Sequence, residues 1–144
     1  MRKNRKVFLI HGHDSSAKYE LKDFLASIRC EPILLSEQDD LGMTIIEKFE
    51  HYASKCAFAF ALLTPDDKQA SDLVGTAKWR ARQNVILEMG WFMHKLGRSK
   101  VVLLHKGQVE LPSDLLGVLY LPFKKSIFEV SEKIRQRLSG QGLL

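Results

Sequence analysis

Cysteine and long apolar runs are both scarce in this chain of 144 residues. Its two cysteines, Cys30 and Cys56, stand in apolar segments without the spacing of metal ligands, which predicts reduced thiols packed inside a cytoplasmic protein. No apolar run approaches the roughly 18–20 residues of a membrane-spanning helix, and the run that follows the basic residues 1–6 is too short for a signal peptide. We therefore expect a protein without membrane contact.

A large excess of one charge is also missing once the first residues are set aside. The formal net charge is +5, but most of it comes from the four Lys and Arg side chains of residues 1–6. The sequence predicts a basic N-terminal arm over residues 1–6, one folded domain over 7–138 and a flexible tail over 139–144. A basic arm adds phosphate affinity without forming a binding surface, so nucleic acid is not expected as a partner.

Several nucleotide-binding and catalytic motifs are absent. The chain has no G-x-G-x-x-G, no G-x-x-x-x-G-K-[ST] and no G-x-S-x-G. A conventional dinucleotide fold, a P-loop NTPase and a serine hydrolase therefore lose their main sequence support.

Continuous apolar runs alternate with helical patterns along the chain. Such runs are typical of strands that are covered on both faces, and this alternation predicts a flavodoxin-like, three-layer α/β domain with a five-stranded parallel sheet. The longest run should be the central strand. The five runs cover residues 7–10, 32–35, 56–63, 101–104 and 118–121.

Ligands of such folds bind outside the carboxyl ends of the strands. Here that edge comprises residues 11–15, 36–43, 64–67 and 105–107. The His-Gly-His-Asp sequence at 11–14 could supply metal ligands, cap the following helix or hold a phosphate at the helix N-terminus. A response-regulator interpretation would use Asp66 as phosphate acceptor, but it lacks the acidic pair expected after the first strand.

A capping box of Thr44 and Glu47 predicts a helix whose Ile45, Phe49 and Tyr52 share one face. A second box, Ser126 to Glu129, predicts the last helix.

Glu88 is the only acid on a helix that is apolar nearly all round and that Asn84 should cap. Its neighbours three and four residues on are Trp91 and Phe92, so no basic residue of its own helix pairs with it there. One interpretation is a salt bridge to Arg80, Arg82 or Lys95. The other is a carboxylate beside an aromatic pocket, suited to stabilising a sugar cation as a glycosidic bond breaks. Trp91 could pack in the core or stack on a ligand, and Trp79 could belong to a lid or an interface.

Four segments resemble the bacterial TIR-like (Toll/interleukin-1 receptor-like) predicted nucleotide-binding domain, the type found as effector modules in cyclic-nucleotide antiphage systems. They are VFLIHGHD at 7–14, GMTIIEKFE at 42–50, FALLTPDD at 60–67 and, above all, ARQNVILEMGWF at 81–92. The resemblance covers about residues 6–123.

This resemblance implies a flavodoxin-like fold and NAD⁺ glycohydrolase activity, with Glu88 as the catalytic carboxylate, NAD⁺ as substrate and no metal or other cofactor. It implies that residues 36–43 gate the pocket and join neighbouring protomers, and that a sensor protein or a fused second-messenger-binding domain activates the enzyme. The expected substrate-binding residues are His13, Asp14, Ser15, Asp66, Asp67, Asn84 and Trp91. The expected gating or assembly residues are Glu37, Asp39, Asp40 and Gly42.

Two alternatives stay open. Many TIR domains are scaffolds that signal by homotypic contacts without catalysis, and such a domain would not need Glu88. A deoxyribosyltransferase-like enzyme would instead use Glu88 as a covalent nucleophile toward a nucleoside.

Overall fold

A computed structural model describes residues 3–12, 16–64, 83–107 and 117–144. Five strands form one sheet in the order β2-β1-β3-β4-β5, and every neighbouring pair is parallel. This order is that of a flavodoxin-like doubly wound sheet and confirms the expected α/β fold. The strands are β1 (Lys6–His11), β2 (Glu31–Leu34), β3 (Phe58–Leu63), β4 (Val101–Lys106) and β5 (Leu119–Phe123).

The central strand is β3, as the longest apolar run predicted. All six of its residues are buried, because both of its edges are paired and both of its faces are covered by helices. The outer strand β5 begins one residue later than expected and runs on through Pro122, which is exposed. A proline is tolerated there because one side of an edge strand needs no donor.

Four α-helices within the described residues cover the sheet: α1 (Ser16–Ser27), α2 (Ile45–Ala53), α3 (residues 83–96) and α4 (Ser131–Gly140). The core side chains of α1 and α4 pack on one face, and those of α2 and α3 pack on the other. Short 3₁₀ turns occur at Leu35–Glu37, Arg98–Lys100 and Ile127–Val130. No helix within the described residues has the length and apolar character that crossing a bilayer requires.

The two faces of β3 carry side chains of different size. Ala59 and Ala61 face α2 and α3, whereas Phe60 faces the opposite layer. The small alanines leave room for Phe49 of α2, whose ring centroid lies 5.4 Å from that of Phe8 and 5.8 Å from that of Phe92. An aromatic cluster therefore fixes α2 and α3 to the sheet.

Both predicted capping boxes are present. The backbone N–H of Glu47 donates to the Thr44 hydroxyl at 3.2 Å, and the Thr44 N–H donates to the Glu47 carboxylate at 3.0 Å. The Glu129 carboxylate accepts the backbone N–H of Ser126 at 2.8 Å in the same way. The side chain of Ile45 is 82% exposed, because the buried face of α2 is formed by Phe49 and Ala53.

The end of the chain also differs from expectation. The tail predicted over residues 139–144 is partly helical, since α4 continues to Gly140. Leu143 donates its N–H to the Leu138 carbonyl at 3.0 Å and is 3% exposed. A leucine packed into the α1 and α4 layer anchors the segment, so the expectation of a free tail was wrong.

Candidate functional site

A cleft of about 640 Å³ lies between α2 and α3. Its size is in the range of small-molecule sites, and its lining is mostly apolar with a few polar groups, as is usual for such sites. From α2 it is lined by Ile45, Ile46, Phe49 and Glu50, and from α3 by Asn84, Ile86, Leu87, Glu88, Gly90 and Trp91.

Glu88 supplies a carboxyl group with unusual chemistry to this cleft. Its side chain is partly buried on α3, and desolvation by burial raises its pKa from 4.5 to about 7. No ion pair or hydrogen bond involves Glu88 among the described residues, so Lys95 does not neutralise it. A carboxyl group that is half ionised at neutral pH can respond strongly to a cation that enters the cleft.

Trp91 both packs in the core and lines the cleft. Its indole meets the ring of Phe49 edge to face at 5.3 Å and that of Phe92 at 5.0 Å. The two interpretations left open by the sequence are therefore compatible, because a half-buried indole held by two buried rings forms a fixed wall next to Glu88.

Asn84 lines the cleft from α3, and residue 83 before it is already helical, so the expectation that Asn84 caps this helix was wrong. It lies one helical turn before Glu88, so the two side chains project from the same side of the helix.

Sequence reasoning missed the contribution of α2 to this cleft. Ile45, Ile46 and Glu50 line it but were not expected in a site. The sequence contained one signal of this. Consecutive residues of a helix point in different directions, so a surface helix with a single buried face cannot bury both Ile45 and Ile46, and one of them had to face outward.

The segment 36–43, expected to gate the pocket, is tied to the helices beside it. Glu37 forms a salt bridge of 2.8 Å with Lys22 of α1, and Asp40 forms one of 2.7 Å with Lys48 of α2. The Tyr52 hydroxyl donates to the Asp39 carbonyl at 2.9 Å. Gly42 follows with a φ of +71°. A change in the conformation of this segment would have to break these contacts.

The cleft stands beside the strand edge where a ligand was expected. None of the described parts of that edge, residues 11–12, 36–43, 64 and 105–107, is among the lining residues. The structure thus brings Glu88, Asn84 and Trp91 together and leaves Glu37, Asp39, Asp40 and Gly42 outside the lining. His13, Asp14, Ser15, Asp66, Asp67, Trp79, Arg80 and Arg82 lie outside the described residues.

A metal site is not found in the described part of the chain. No group of three or more His, Cys, Asp or Glu side chains is placed there to hold an ion. The ligand set considered at residues 11–14 includes His13 and Asp14, which lie outside the described residues.

Comparison with solved structures identifies a fold neighbour. The SEFIR domain of interleukin-17 receptor B matches 94% of this chain and 96% of its own with a TM-score of 0.57, at 17% sequence identity. At this level of identity the likeness concerns the fold alone.

Relatives at the sequence level are longer proteins. The uncharacterized protein YuaY of Escherichia coli is 49% identical over 117 residues, which is 81% of this chain and 39% of YuaY. Protein tirC of Dictyostelium discoideum is 38% identical over 141 residues, or 90% of this chain and 69% of tirC. The Pycsar effector protein BcPycTIR of Burkholderia cepacia is 38% identical over 81 residues, or 54% of this chain and 26% of that protein.

The family described as "CAP12/Pycsar effector protein, TIR domain" matches residues 6–125. That match spans all five strands, α2 and the whole of α3, including the cleft and Glu88. The chain belongs to this family, the bacterial TIR domains of cyclic-nucleotide antiphage effectors.

Proposed function

We propose that this TIR domain cleaves NAD⁺ between nicotinamide and ribose, with Glu88 as the catalytic carboxylate and the cleft between α2 and α3 holding the nicotinamide-side ribose. The observation that carries the proposal is the position of Glu88: a carboxyl group whose pKa burial raises to about 7, beside a fixed aromatic wall in a ligand-sized cleft. Perturbed carboxyl groups of this kind are common in catalytic sites.

The chemistry follows from the charge of the substrate. Nicotinamide in NAD⁺ is a pyridinium cation, and it leaves as a neutral molecule when the electron pair of the C1′–N bond moves to its nitrogen. The ribosyl group is then an oxocarbenium-like cation. An ionised Glu88 stabilises that cation, and the low dielectric of a partly buried site strengthens the attraction. Water captures the cation and releases a proton, which gives ADP-ribose; capture by the adenine gives a cyclic product.

Substrate binding also favours the ionised form of Glu88. An isolated Glu88 is about half protonated near pH 7, because burial disfavours its charge. A pyridinium cation next to it has the opposite effect and lowers the pKa. Glu88 therefore acquires the negative charge that catalysis needs when NAD⁺ binds. Trp91 and Asn84 would orient the nicotinamide riboside, with His13, Asp14, Ser15, Asp66 and Asp67 toward the rest of the nucleotide.

Activation would come from outside the domain. We infer a cytoplasmic defence effector that becomes active on self-association, triggered by a sensor protein or by a second-messenger-binding domain fused to it. The chain spans about two fifths of YuaY and a quarter of BcPycTIR, so these relatives carry substantial sequence beyond the matched part.

The test is nicotinamide release from NAD⁺ by concentrated protein, with and without a crowding agent that promotes assembly. Glu88→Gln keeps the size and removes the charge, and we expect release to fall about 100-fold or more. Glu132→Gln is the matched control, since it makes the same change on the exposed surface of α4. Release that survives Glu88→Gln would show that Glu88 is not the catalytic carboxylate. If clustered wild-type protein releases no nicotinamide, the domain is a scaffold and not an enzyme.

A further inference from the structure

The cleft between α2 and α3 is acidic in a chain that is basic as a whole. The formal net charge of the chain is +5, yet the described residues that line the cleft include two glutamates and no Lys, Arg or His. One glutamate is Glu88 of α3, and the other is Glu50 of α2. The proposed reaction uses Glu88 and gives Glu50 no role.

Glu50 has no task in the fold that would explain its position. Its carboxylate forms no salt bridge with the described residues, and the basic residue nearest to it on α2, Lys48, pairs with Asp40 at 2.7 Å. The capping box of α2 uses Glu47 instead. An exposed carboxylate at the side of a cleft, without a cation of its own, attracts a cationic ligand.

The two carboxylates of the cleft stand apart from each other. Carboxylates within roughly 4–6 Å of each other raise one pKa by repulsion, whereas burial alone raises the pKa of Glu88. Glu50 and Glu88 therefore do not share a proton, and they do not form the close set of ligands that a metal ion needs. A cation that interacts with both must be larger than a metal ion.

The walls of the cleft favour a flat aromatic cation. Its lining is mostly apolar and includes Ile45, Ile46 and Leu87. An ammonium group is strongly hydrated and gains little from such walls, whereas an aromatic cation buries its ring and spreads its charge. The indole of Trp91 adds to this preference, because tryptophan is the side chain whose ring attracts cations best.

Gly90 leaves space for such a ring. A glycine inside a helix is destabilising relative to alanine, and packing within the described residues does not require one here, because a Cβ at Gly90 would meet no atom within 4 Å. Gly90 lines the cleft. Its missing side chain therefore keeps the wall formed by α3 open to a ligand.

We propose that Glu50 determines the specificity of this cleft, which with Glu88 and Trp91 selects nucleotides whose base is a flat pyridinium cation over nucleotides whose base is neutral. The inference rests on the proposed function and assigns a second carboxylate to the same cleft. Glu50 is exposed and acts on the charged base as it binds, whereas Glu88 acts on the ribosyl cation that forms in the reaction. Reduced nicotinamide nucleotides, whose dihydropyridine ring is neutral, are rejected by the same charge.

The test compares two ligands of the same shape and different charge. 1-Methylnicotinamide is a pyridinium cation, 3-methylbenzamide is its neutral isostere, and neither carries a ribose that the proposed reaction could release. NMR titration gives both dissociation constants. We expect the wild-type protein to bind the cation about tenfold more tightly than the neutral ligand. Glu50→Gln should reduce this preference about threefold and Glu50→Lys about tenfold, with the affinity for the neutral ligand unchanged.

Glu132→Gln is the control, because it removes one negative charge from the exposed surface of α4 and should leave the preference intact. With NAD⁺ as substrate, Glu50→Gln should raise KM about threefold and change kcat less than twofold, whereas Glu88→Gln lowers kcat.

Three results overturn the inference: equal binding of the two ligands by the wild-type protein, a preference that survives Glu50→Gln, or the same loss in Glu132→Gln. A preference that depends on Glu50 in a protein that releases no nicotinamide supports the inference and refutes only the proposed cleavage.

Discussion

The ring of Phe49 meets the indole of Trp91 edge to face, with centroids 5.3 Å apart and planes inclined by 75°. Phe49 is buried and also contacts Phe8 of β1 and Phe92 of α3. One side chain thus joins the sheet, α2 and α3, and it holds in place the indole that lines the cleft beside Glu88. The shape of the candidate site depends on the packing of the core beneath it.

Replacing Phe49 should therefore affect stability and substrate binding together. We expect Phe49→Leu to lower the free energy of unfolding by about 1–2 kcal/mol, through lost buried area and lost aromatic contacts. The freed indole should raise KM for NAD⁺ more than it lowers kcat. Urea denaturation and steady-state kinetics measure the two effects.

Phe128→Leu is the matched control, because Phe128 is 53% exposed and lies in the other layer of the domain. Its free energy of unfolding should stay within about 0.5 kcal/mol of wild type. A similar loss in both variants would mean that the aromatic cluster has no special role.

Stability should depend on pH through Glu88. Its pKa is about 7 in the folded protein and lies near 4.5 when unfolded, so the folded state binds the proton more tightly. The protonated carboxyl therefore makes its full contribution to the free energy of unfolding below pH 4.5, and this contribution is lost as the pH rises through 7. At about 1.4 kcal/mol per tenfold change in proton affinity, the loss is on the order of 3 kcal/mol.

Glu88→Gln isolates this effect, since its amide cannot ionise. The variant and wild type should unfold with similar free energies near pH 4, and the variant should become the more stable protein by pH 8.5. Parallel pH profiles for the two proteins would show that Glu88 is not desolvated as the structure describes.

Catalysis should follow the opposite trend with pH. The proposed reaction needs ionised Glu88, so kcat/KM for nicotinamide release should rise through an apparent pKa of about 7, the value for the free enzyme. The pKa seen in kcat should be lower, because the bound pyridinium favours the carboxylate. A profile that is flat between pH 5.5 and 8.5 would contradict this assignment.

The sequence allowed the layers of this fold to be predicted because a strand covered on both faces must be apolar throughout. The run that contains Phe58 and Leu63 is the clearest case, and it forms the central strand. Both capping boxes were also recognisable, since Thr44 and Glu47 exchange hydrogen bonds across only three residues. Local rules of this kind need no knowledge of the tertiary structure.

The cleft and the charge distribution could not be predicted in the same way. A helical stripe shows which residues are apolar, but not whether they face a core or an opening. Ile45, for example, shares an apolar face of α2 with the buried Phe49, yet it is 82% exposed and lines the cleft. Net charge likewise does not show where the charges lie. Lys55 and Lys100 are 45 positions apart in the sequence, but both precede neighbouring parallel strands, β3 and β4, and therefore lie at the same end of the sheet.

Tyr52 offers a test of how residues 36–43 are held. Its hydroxyl bonds to the Asp39 carbonyl, so Tyr52→Phe should cost about 1 kcal/mol and speed hydrogen exchange at the amides of residues 39–43. Tyr19→Phe changes an exposed tyrosine of α1 and serves as the control. Unchanged exchange in Tyr52→Phe would show that the two salt bridges hold the segment without it.

The turn at Leu41 and Gly42 combines two residues of positive φ, +53° and +71°. The Met43 N–H donates to the Asp40 carbonyl at 2.9 Å and closes the turn, an arrangement in which glycine and asparagine are favoured and leucine is strained. Leu41→Asn should therefore raise the free energy of unfolding by about 0.5–1 kcal/mol, since the exposed leucine loses little burial. Gly42→Ala should lower it by about 1 kcal/mol although the added methyl group meets no atom within 4 Å. Thermal unfolding of the two variants separates backbone strain from crowding, and a stabilised Gly42→Ala would show that the turn adopts a different conformation in solution.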